Sequence, residues 1–145
     1  MNVFYLSRDP VKAAFMQIPK HKVKMVLECA QLLSCCHRVY GDEREILYKK
    51  THENHPSAVW VRESSQHYDW LYQHFLALGA AYTELYGKTH LSITKLKGPL
   101  MAPPSELEDN GFVDPPQCMP DEYKDIDTVQ AYTNYYQFKR ETIGQ

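Results

Sequence analysis

Six side chains that could do chemistry recur at steps of three and four residues between positions 20 and 40. On a helix this spacing places them in one stripe, because residues three and four apart are neighbours on the helix surface. The stripe consists of His21, Lys24, Glu28, Gln31, Cys35 and Arg38. One interpretation is the polar floor of a site, since apolar residues flank the stripe. The other is a solvated face on which Lys24 and Glu28 form an ordinary ion pair.

A second group of polar residues occupies positions 51–56, THENHP. Asn54 or His55 can cap a helix that begins at Pro56, and the N–H groups of a helix start attract anions. His52 and His55 have the spacing of two metal ligands, but no third ligand follows at a recognisable distance. We therefore predict that this segment caps a helix and contacts phosphate or substrate, and we expect no metal.

The candidate residues hold anions better than cations. Glu28 is the one well-placed carboxylate, whereas a glycosidase needs two, and no glycine-rich phosphate loop or GxSxG motif is present. We predict contacts with phosphate or substrate from Arg38, His52, Asn54, His55, Arg62, Lys88 and His90. This balance favours a phosphate-containing substrate such as DNA, and we expect no cofactor.

Composition limits the class of protein. The chain has 145 residues and is 43% hydrophobic, which predicts one folded domain over residues 1–145. The net charge of −2 gives no overall attraction to nucleic acid or membrane, so anion binding requires a local patch. No apolar run of about 18 residues and no signal peptide is present, so we expect no membrane contact and a cytoplasmic location. The four cysteines lack zinc or disulfide spacing.

Local signals place these residues on helices. Asp9-Pro10 predicts the start of a short helix, and Pro19 and Gly41 bracket a central helix over residues 20–40. A helical pattern from 56 to 86 is broken near Ser64-Ser65 and closed by Gly87. Six prolines between 92 and 120 predict an irregular strap, and a last helix follows Asp125 or Asp127. The expected fold is mainly α: a single-domain helical bundle around a central helix, with a Pro-rich irregular strap and a C-terminal helix.

Several phrases of the sequence resemble a family of small tailed-phage proteins: KHKVKMVLECAQLL, THENHPSAVWVRESSQHYDWLY, YGKTH, PPQCMPDEYK and AYTNYY. In size and helical character the chain is similar to the pyrimidine-dimer DNA glycosylase/AP lyases of the endonuclease V type. A histidine and a glutamate seven residues apart on the early helix, His21 and Glu28, and the tyrosine-rich C-terminal segment carry this resemblance. The arginines of that family beside the glutamate are absent, since Leu27 precedes Glu28 and Gln31 follows.

The resemblance implies a DNA-acting phage enzyme with a nucleophilic N-terminal amine. That amine belongs to Met1, or to Asn2 if Met1 is removed, and Glu28 is its partner. His21 and Lys24 complete the implied catalytic group, and DNA in the host cytoplasm is the implied substrate. The sequence does not indicate the oligomeric state.

Two other functions stay open from the sequence. One is an amino acid:DNA transferase that hypermodifies an activated thymine derivative in phage DNA, for which the cations suit a departing pyrophosphate. The other is a non-enzymatic phage protein that binds a nucleotide or a host factor in the same polar pocket.

Overall fold

The computed structural model describes residues 1–143, which form helices and connecting loops without a strand. The two longest helices, α2 and α4, pack against each other, and three shorter helices, α1, α3 and α5, pack against them. The helices are α1 (Pro10–Phe15), α2 (Pro19–Val39), α3 (Pro56–Val61), α4 (Ser65–Tyr86), α5 (Leu91–Leu96) and α6 (Thr128–Ile143). The predicted mainly α fold around a central helix is confirmed.

The central helix α2 begins and ends within one residue of its predicted limits. Pro19 occupies its first turn, where a missing N–H breaks no helical hydrogen bond. After Val39 the chain leaves the helix, and Gly41 adopts a φ of 88°. Most apolar side chains of α2 are buried, as its wide apolar arc predicts. Leu27 is 41% exposed because it lines an open cavity.

The predicted break near Ser64-Ser65 separates α3 from α4. The Ser64 hydroxyl accepts a hydrogen bond from the Gln66 N–H (3.3 Å), which caps α4, and donates one to the Gly111 carbonyl (2.6 Å). The cap therefore also fixes the later loop against the start of α4. Gly87 ends the helix in the left-handed conformation, with a φ of 70°.

The N-terminal segment packs into the core. Residues 3–6 are buried, and Asp9 then caps α1 by accepting a hydrogen bond from the Val11 N–H at 2.8 Å. This arrangement holds the beginning of the chain against α2, which determines where Met1 lies.

The prediction of no regular structure between residues 92 and 120 is wrong at its start, where α5 forms. The first of the six prolines is Pro99, so no helix breaker interrupts residues 91–96. Beyond α5 the chain is an irregular strap, with one 3₁₀ turn at Asp121–Tyr123. The Trp60 indole donates to the Val113 carbonyl (2.9 Å), and the Val113 N–H donates to His67 Nε2 (3.0 Å). These bonds hold the strap on α3 and α4.

The C-terminal helix α6 docks on the core through its aromatic side. Asp127 caps it by accepting a hydrogen bond from the Val129 N–H at 3.1 Å. Tyr132 and Tyr136 are fully buried, and the Tyr136 ring packs edge-on against Phe4 at 5.4 Å. These two tyrosines are therefore core residues.

None of the helices in residues 1–143 combines the length and the apolar character needed to cross a lipid bilayer.

Candidate active site

The N-terminal amine lies beside the central glutamate. The nitrogen of Met1 is 3.8 Å from Oε1 of Glu28, and the side chains of the two residues are 7% and 14% exposed. Water and salt therefore screen this pair less than a surface pair. The other carboxylate oxygen of Glu28 lies 3.5 Å from Nζ of Lys24, one turn earlier on α2. One carboxylate thus faces two amines.

Helix α3 holds Met1 in this position. The Ser57 hydroxyl donates a hydrogen bond to the Met1 carbonyl at 3.1 Å. Ser57 lies in the first turn of α3, where its own N–H donates to Nδ1 of His55 (3.1 Å) and completes the helix cap. The cap predicted in residues 51–56 is present, and it positions the backbone that carries the amine.

Two adjoining cavities meet at the amine and Glu28. The larger, of about 520 Å³, has an apolar wall of Met1, Val23 and Leu27. Its polar lining consists of Lys24, Glu28, Gln31, His52 and His90. The smaller cavity, of about 90 Å³, shares Met1, Lys24 and Glu28 and extends to Asn2, His21 and Lys139. A mostly apolar wall with a few convergent polar groups is typical of a small-molecule or nucleotide site.

His21 is buried at the back of the smaller cavity. Its ring stacks on Phe4, with centroids 4.8 Å apart, and its Nδ1 is 2.8 Å from the Tyr136 hydroxyl. Burial, together with the smaller effect of the positive charges of Lys139, Lys24 and Lys20, lowers the pKa of His21 to about 4. At neutral pH the ring is therefore uncharged, and the three lysines create a positive potential around it.

Two more histidines reach the larger cavity from other segments. His52 has a φ of 51°, in the left-handed region that residues with a Cβ rarely adopt. Its Nδ1 is 2.8 Å from the Thr51 hydroxyl. His90 caps α5 by accepting the Ser92 N–H at Nδ1 (3.0 Å). Burial lowers the pKa of His90.

The two predicted arginines lie apart from the amine and brace the loops between α2 and α3. The Arg38 guanidinium donates to three backbone carbonyls, those of Asp42, Leu47 and Tyr48. Arg62 donates to the Glu53 carbonyl at 2.6 Å. Neither side chain lines either cavity.

Three other predicted contacts also lie outside the two cavities. The His55 ring caps α3, as described above, and Lys88 is exposed in the turn after α4. Asn54 lines a separate cavity beside Trp60 and Pro116. The structure thus brings together Met1, Asn2, His21, Lys24, Glu28, His52 and His90 and leaves Arg38, Asn54, His55, Arg62 and Lys88 elsewhere.

A different cleft, of about 590 Å³, opens at the C-terminal end of α2. Two of its charged groups are paired, because Arg44 Nη2 lies 2.8 Å from Asp42 Oδ2, and His37 Nδ1 lies 3.3 Å from the same oxygen. The hydrogen bond from Arg44 lowers the pKa of Asp42. None of the predicted site residues lines this cleft, whereas seven of them line the two cavities at Met1 and Glu28, which therefore form the stronger candidate site.

The polar stripe of α2 contributes only its middle part to the larger cavity. Cys35 is buried and Arg38 is covered by the following loop, whereas Lys24, Glu28 and Gln31 face the cavity. The stripe contains Gln31, but sequence reasoning did not select it as a site residue. Lys139 belongs to a C-terminal mixture of aromatic and cationic residues that suits phosphate contact, but only the docking of α6 brings it near Glu28. Within residues 1–143 no three His, Cys, Asp or Glu side chains are grouped to hold a metal ion.

Comparison of the chain with known proteins found no matching protein-family model, no matching curated protein and no matching solved structure.

Proposed function

We propose that the protein is a DNA glycosylase with AP-lyase activity, in which the Met1 amine is the nucleophile and Glu28 its partner. The observation that carries this proposal is the distance of 3.8 Å between the amine nitrogen and Glu28 Oε1, at a cavity of about 520 Å³. The proposal includes a free amine on Met1 of the working protein and a role on phage DNA in the cytoplasm of the infected host.

The first step replaces the base by the amine. The lone pair of the neutral Met1 nitrogen forms a bond to C1′ of a nucleotide, and the glycosidic bond breaks. The base leaves with the electron pair of the glycosidic bond and takes a proton from water. The attacking nitrogen passes a proton to the Glu28 carboxylate, and Glu28 returns this proton to the ring oxygen O4′ as the C1′–O4′ bond breaks and the sugar opens to a Schiff base. The same carboxylate stabilises the positive charge that develops on the sugar.

The second step cleaves the strand. Loss of the C2′ proton to a carboxylate or water lets the C3′–O bond break, and the 3′ phosphate leaves with the bonding electrons. Water then hydrolyses the Schiff base and restores the amine. Glu28 is the carboxylate that lines both cavities, so it is the group that moves these protons.

The lysines near the amine supply the contacts that a DNA backbone requires. Lys24 lines both cavities, Lys139 lines the smaller one, and Lys20 is close enough to lower the pKa of His21. A local cluster of this kind attracts phosphates even though the chain as a whole has a net charge of −2. His52, held at the mouth of the larger cavity by Thr51, is the remaining phosphate contact in this proposal.

The test is borohydride trapping on a DNA strand with one abasic site. The expected result is a covalent protein–DNA adduct, and mass mapping should place it on the nitrogen of residue 1. Replacement Glu28→Gln should lower the rate of adduct formation by about 10²- to 10⁴-fold, the usual contribution of a proton-transfer group. DNA affinity should change less than about twofold, because the amide keeps the shape of the carboxylate.

Glu122→Gln is the matched control, since Glu122 is exposed and lines neither cavity. Acetylation of the amine should abolish the adduct. An adduct on Lys24 would contradict the role of Met1, and equal losses of trapping and binding in Glu28→Gln would contradict the role of Glu28. Absence of any adduct, together with amino acid transfer to activated DNA or with tight binding alone, would overturn the proposal.

A further inference from the structure

The polar groups of the larger cavity follow an order along α2. With a rise of about 1.5 Å per residue, Glu28 lies about 6 Å beyond Lys24 along the helix axis, and Gln31 lies about 4.5 Å beyond Glu28. The lysine is therefore at one end of the cavity, the carboxylate with the Met1 amine is in the middle, and an amide is at the other end.

His90 lines the same cavity as Gln31 and immediately precedes α5. Hydrogen bonds connect the start of α5 to α2 through Tyr48. The Ser92 hydroxyl is hydrogen-bonded to the Tyr48 hydroxyl (2.7 Å), and the Tyr48 N–H donates to the Ser34 hydroxyl of α2 (3.3 Å). Ser34 is three residues beyond Gln31 on α2.

The hydrogen bond at Nδ1 determines what the His90 ring can offer to a ligand. A backbone N–H can only donate, so Nδ1 must be the unprotonated nitrogen, and the proton of the neutral ring is on Nε2. Burial lowers the pKa of His90, which keeps the ring neutral at physiological pH. Tyr82 supports the ring by an edge contact with centroids 4.9 Å apart. Within residues 1–143 no hydrogen bond uses Nε2.

Gln31 and His90 therefore offer a ligand two kinds of hydrogen-bonding group, one that only donates and one that can donate or accept. His90 Nε2–H requires an acceptor, whereas the Gln31 amide can turn to accept or donate. The walls beside them, Val23 and Leu27, are apolar and suit the face of a planar ring. This pattern fits a base edge on which a carbonyl oxygen adjoins a ring N–H.

We propose that Gln31 reads the ring N3–H and His90 reads the 4-carbonyl of a uracil- or thymine-type base, and that His90 selects against an exocyclic amino group at position 4. This inference rests on the proposed function for the position of the nucleotide, whose sugar lies at the amine. Gln31 can reverse its amide for cytosine, but His90 cannot, because its cap holds the tautomer. The amino group of cytosine would then face the Nε2–H, and two donors repel.

The test uses short oligonucleotides in which every unit is a base-free tetrahydrofuran analogue except the central one. The central unit is deoxyuridine in one strand and deoxycytidine in the other. Every phosphate is the same in both strands, so the difference in affinity reports the base alone. Fluorescence anisotropy should show that the protein binds the deoxyuridine strand about tenfold more tightly than the deoxycytidine strand. This ratio is expected when one neutral hydrogen bond forms in the first complex and its donor is left without an acceptor in the second.

His90→Asn should reduce this preference below about twofold. Asparagine is a good cap residue, so α5 should keep its start while the Nε2 donor is lost. His55→Asn is the matched control, because His55 caps α3 through the same bond from its Nδ1 to a serine N–H, and its ring lines neither cavity. This variant should keep the tenfold preference.

Equal affinity of the unmodified protein for the two strands would overturn the inference, as would an unchanged preference in His90→Asn. The binding experiment tests the base-reading role, and borohydride trapping tests the amine mechanism, so either proposal can be contradicted without the other. A trapped adduct without base preference would overturn the base-reading role alone. Base preference without an adduct would overturn the amine mechanism and leave the base-reading role standing.

Discussion

The imidazole of His21 occupies the same stripe of α2 as Glu28, yet it acts as a buried neutral group. Phe4 covers one face of its ring, and the Tyr136 hydroxyl binds its Nδ1. The Ile18 N–H donates to that hydroxyl at 2.9 Å, so the hydroxyl proton is free to bind Nδ1. Protonation of Nδ1 would break this bond and place a charge among three lysines. His21 therefore supports the back of the cavity.

The first prediction concerns the pH dependence of stability. The pKa of His21 is about 4 in the folded protein and about 6.5 in the unfolded chain. Between these values the unfolded chain binds the extra proton, so stability is complete above pH 6.5 and falls as the pH drops towards 4. We expect His21 to account for about 2 kcal/mol of the unfolding free energy lost between pH 7.5 and pH 5.

Urea unfolding at both pH values measures this loss. His21→Gln should remove that share of the pH dependence, while the part due to His74, whose pKa is also about 4, should remain. His52→Gln is the control, since the side chain of His52 is exposed. If His21→Gln kept the full loss between the two pH values, the buried neutral role of His21 would be wrong.

At the scale of the elements, the close contact between α4 and α5 determines where His90 lies. Gly79 has no side chain at the point where Ile93 approaches, and a Cβ there would be 2.5 Å from Ile93 Cδ1. The glycine therefore lets α5 pack directly on α4. Because α5 begins next to His90, the spacing of these helices affects the end of the cavity that we assign to the base.

The second prediction concerns this contact. Gly79→Ala should destabilise the protein by roughly 1–2 kcal/mol, because overpacking costs more than the helix propensity of alanine returns. In an Ile93→Ala background the same change should be neutral or stabilising by up to about 1 kcal/mol, since the clash is gone. Urea unfolding of the four proteins gives the coupling energy.

Gly98→Ala is the control, because a Cβ at Gly98 meets nothing within 4 Å and its φ is not in the left-handed region. We expect its unfolding free energy to stay within about 0.5 kcal/mol of the unmodified protein. Equal costs of Gly79→Ala with and without Ile93 would show that the two helices do not touch here.

At the scale of the whole molecule, segments that are distant in sequence form the site. The amine comes from residue 1, the carboxylate from α2, one histidine from the loop before α3, another from the residue before α5, and Lys139 from α6. The Tyr136 hydroxyl connects α6 to this assembly, because it binds both the Ile18 N–H and His21 Nδ1. Docking of α6 therefore adds the charge of Lys139 to those of Lys20 and Lys24 near the amine.

The third prediction concerns this connection. Tyr136→Phe leaves a buried N–H and a buried ring nitrogen without partners and should cost about 2–3 kcal/mol of unfolding free energy, measured in urea. Tyr135→Phe is the control, since Tyr135 is only partly buried and no hydrogen bond of its hydroxyl occurs within residues 1–143. Similar losses in the two variants would contradict the role of the Tyr136 hydroxyl.

The helices themselves could be predicted because their signals are local. Pro19 starts α2 through its fixed φ, Ser64 starts α4 through the hydrogen bond of its hydroxyl, and Gly87 ends α4 through the left-handed conformation that the lack of a Cβ allows. The helix at residues 91–96 was missed because its cap is a histidine, which is not among the common cap residues, and because the prolines nearby dominate the composition.

The sequence by itself determined the helices, most of their caps and the polar stripe of α2, since these depend on residues at most a few positions apart. Only the tertiary structure decided which part of the stripe faces a cavity. Arg38 donates hydrogen bonds to loop carbonyls and Cys35 is buried by packing, whereas the amine of Met1 lies beside Glu28. Such contacts join residues far apart in the chain, and they form only because burying apolar surface outweighs the entropy lost on ordering the chain between them.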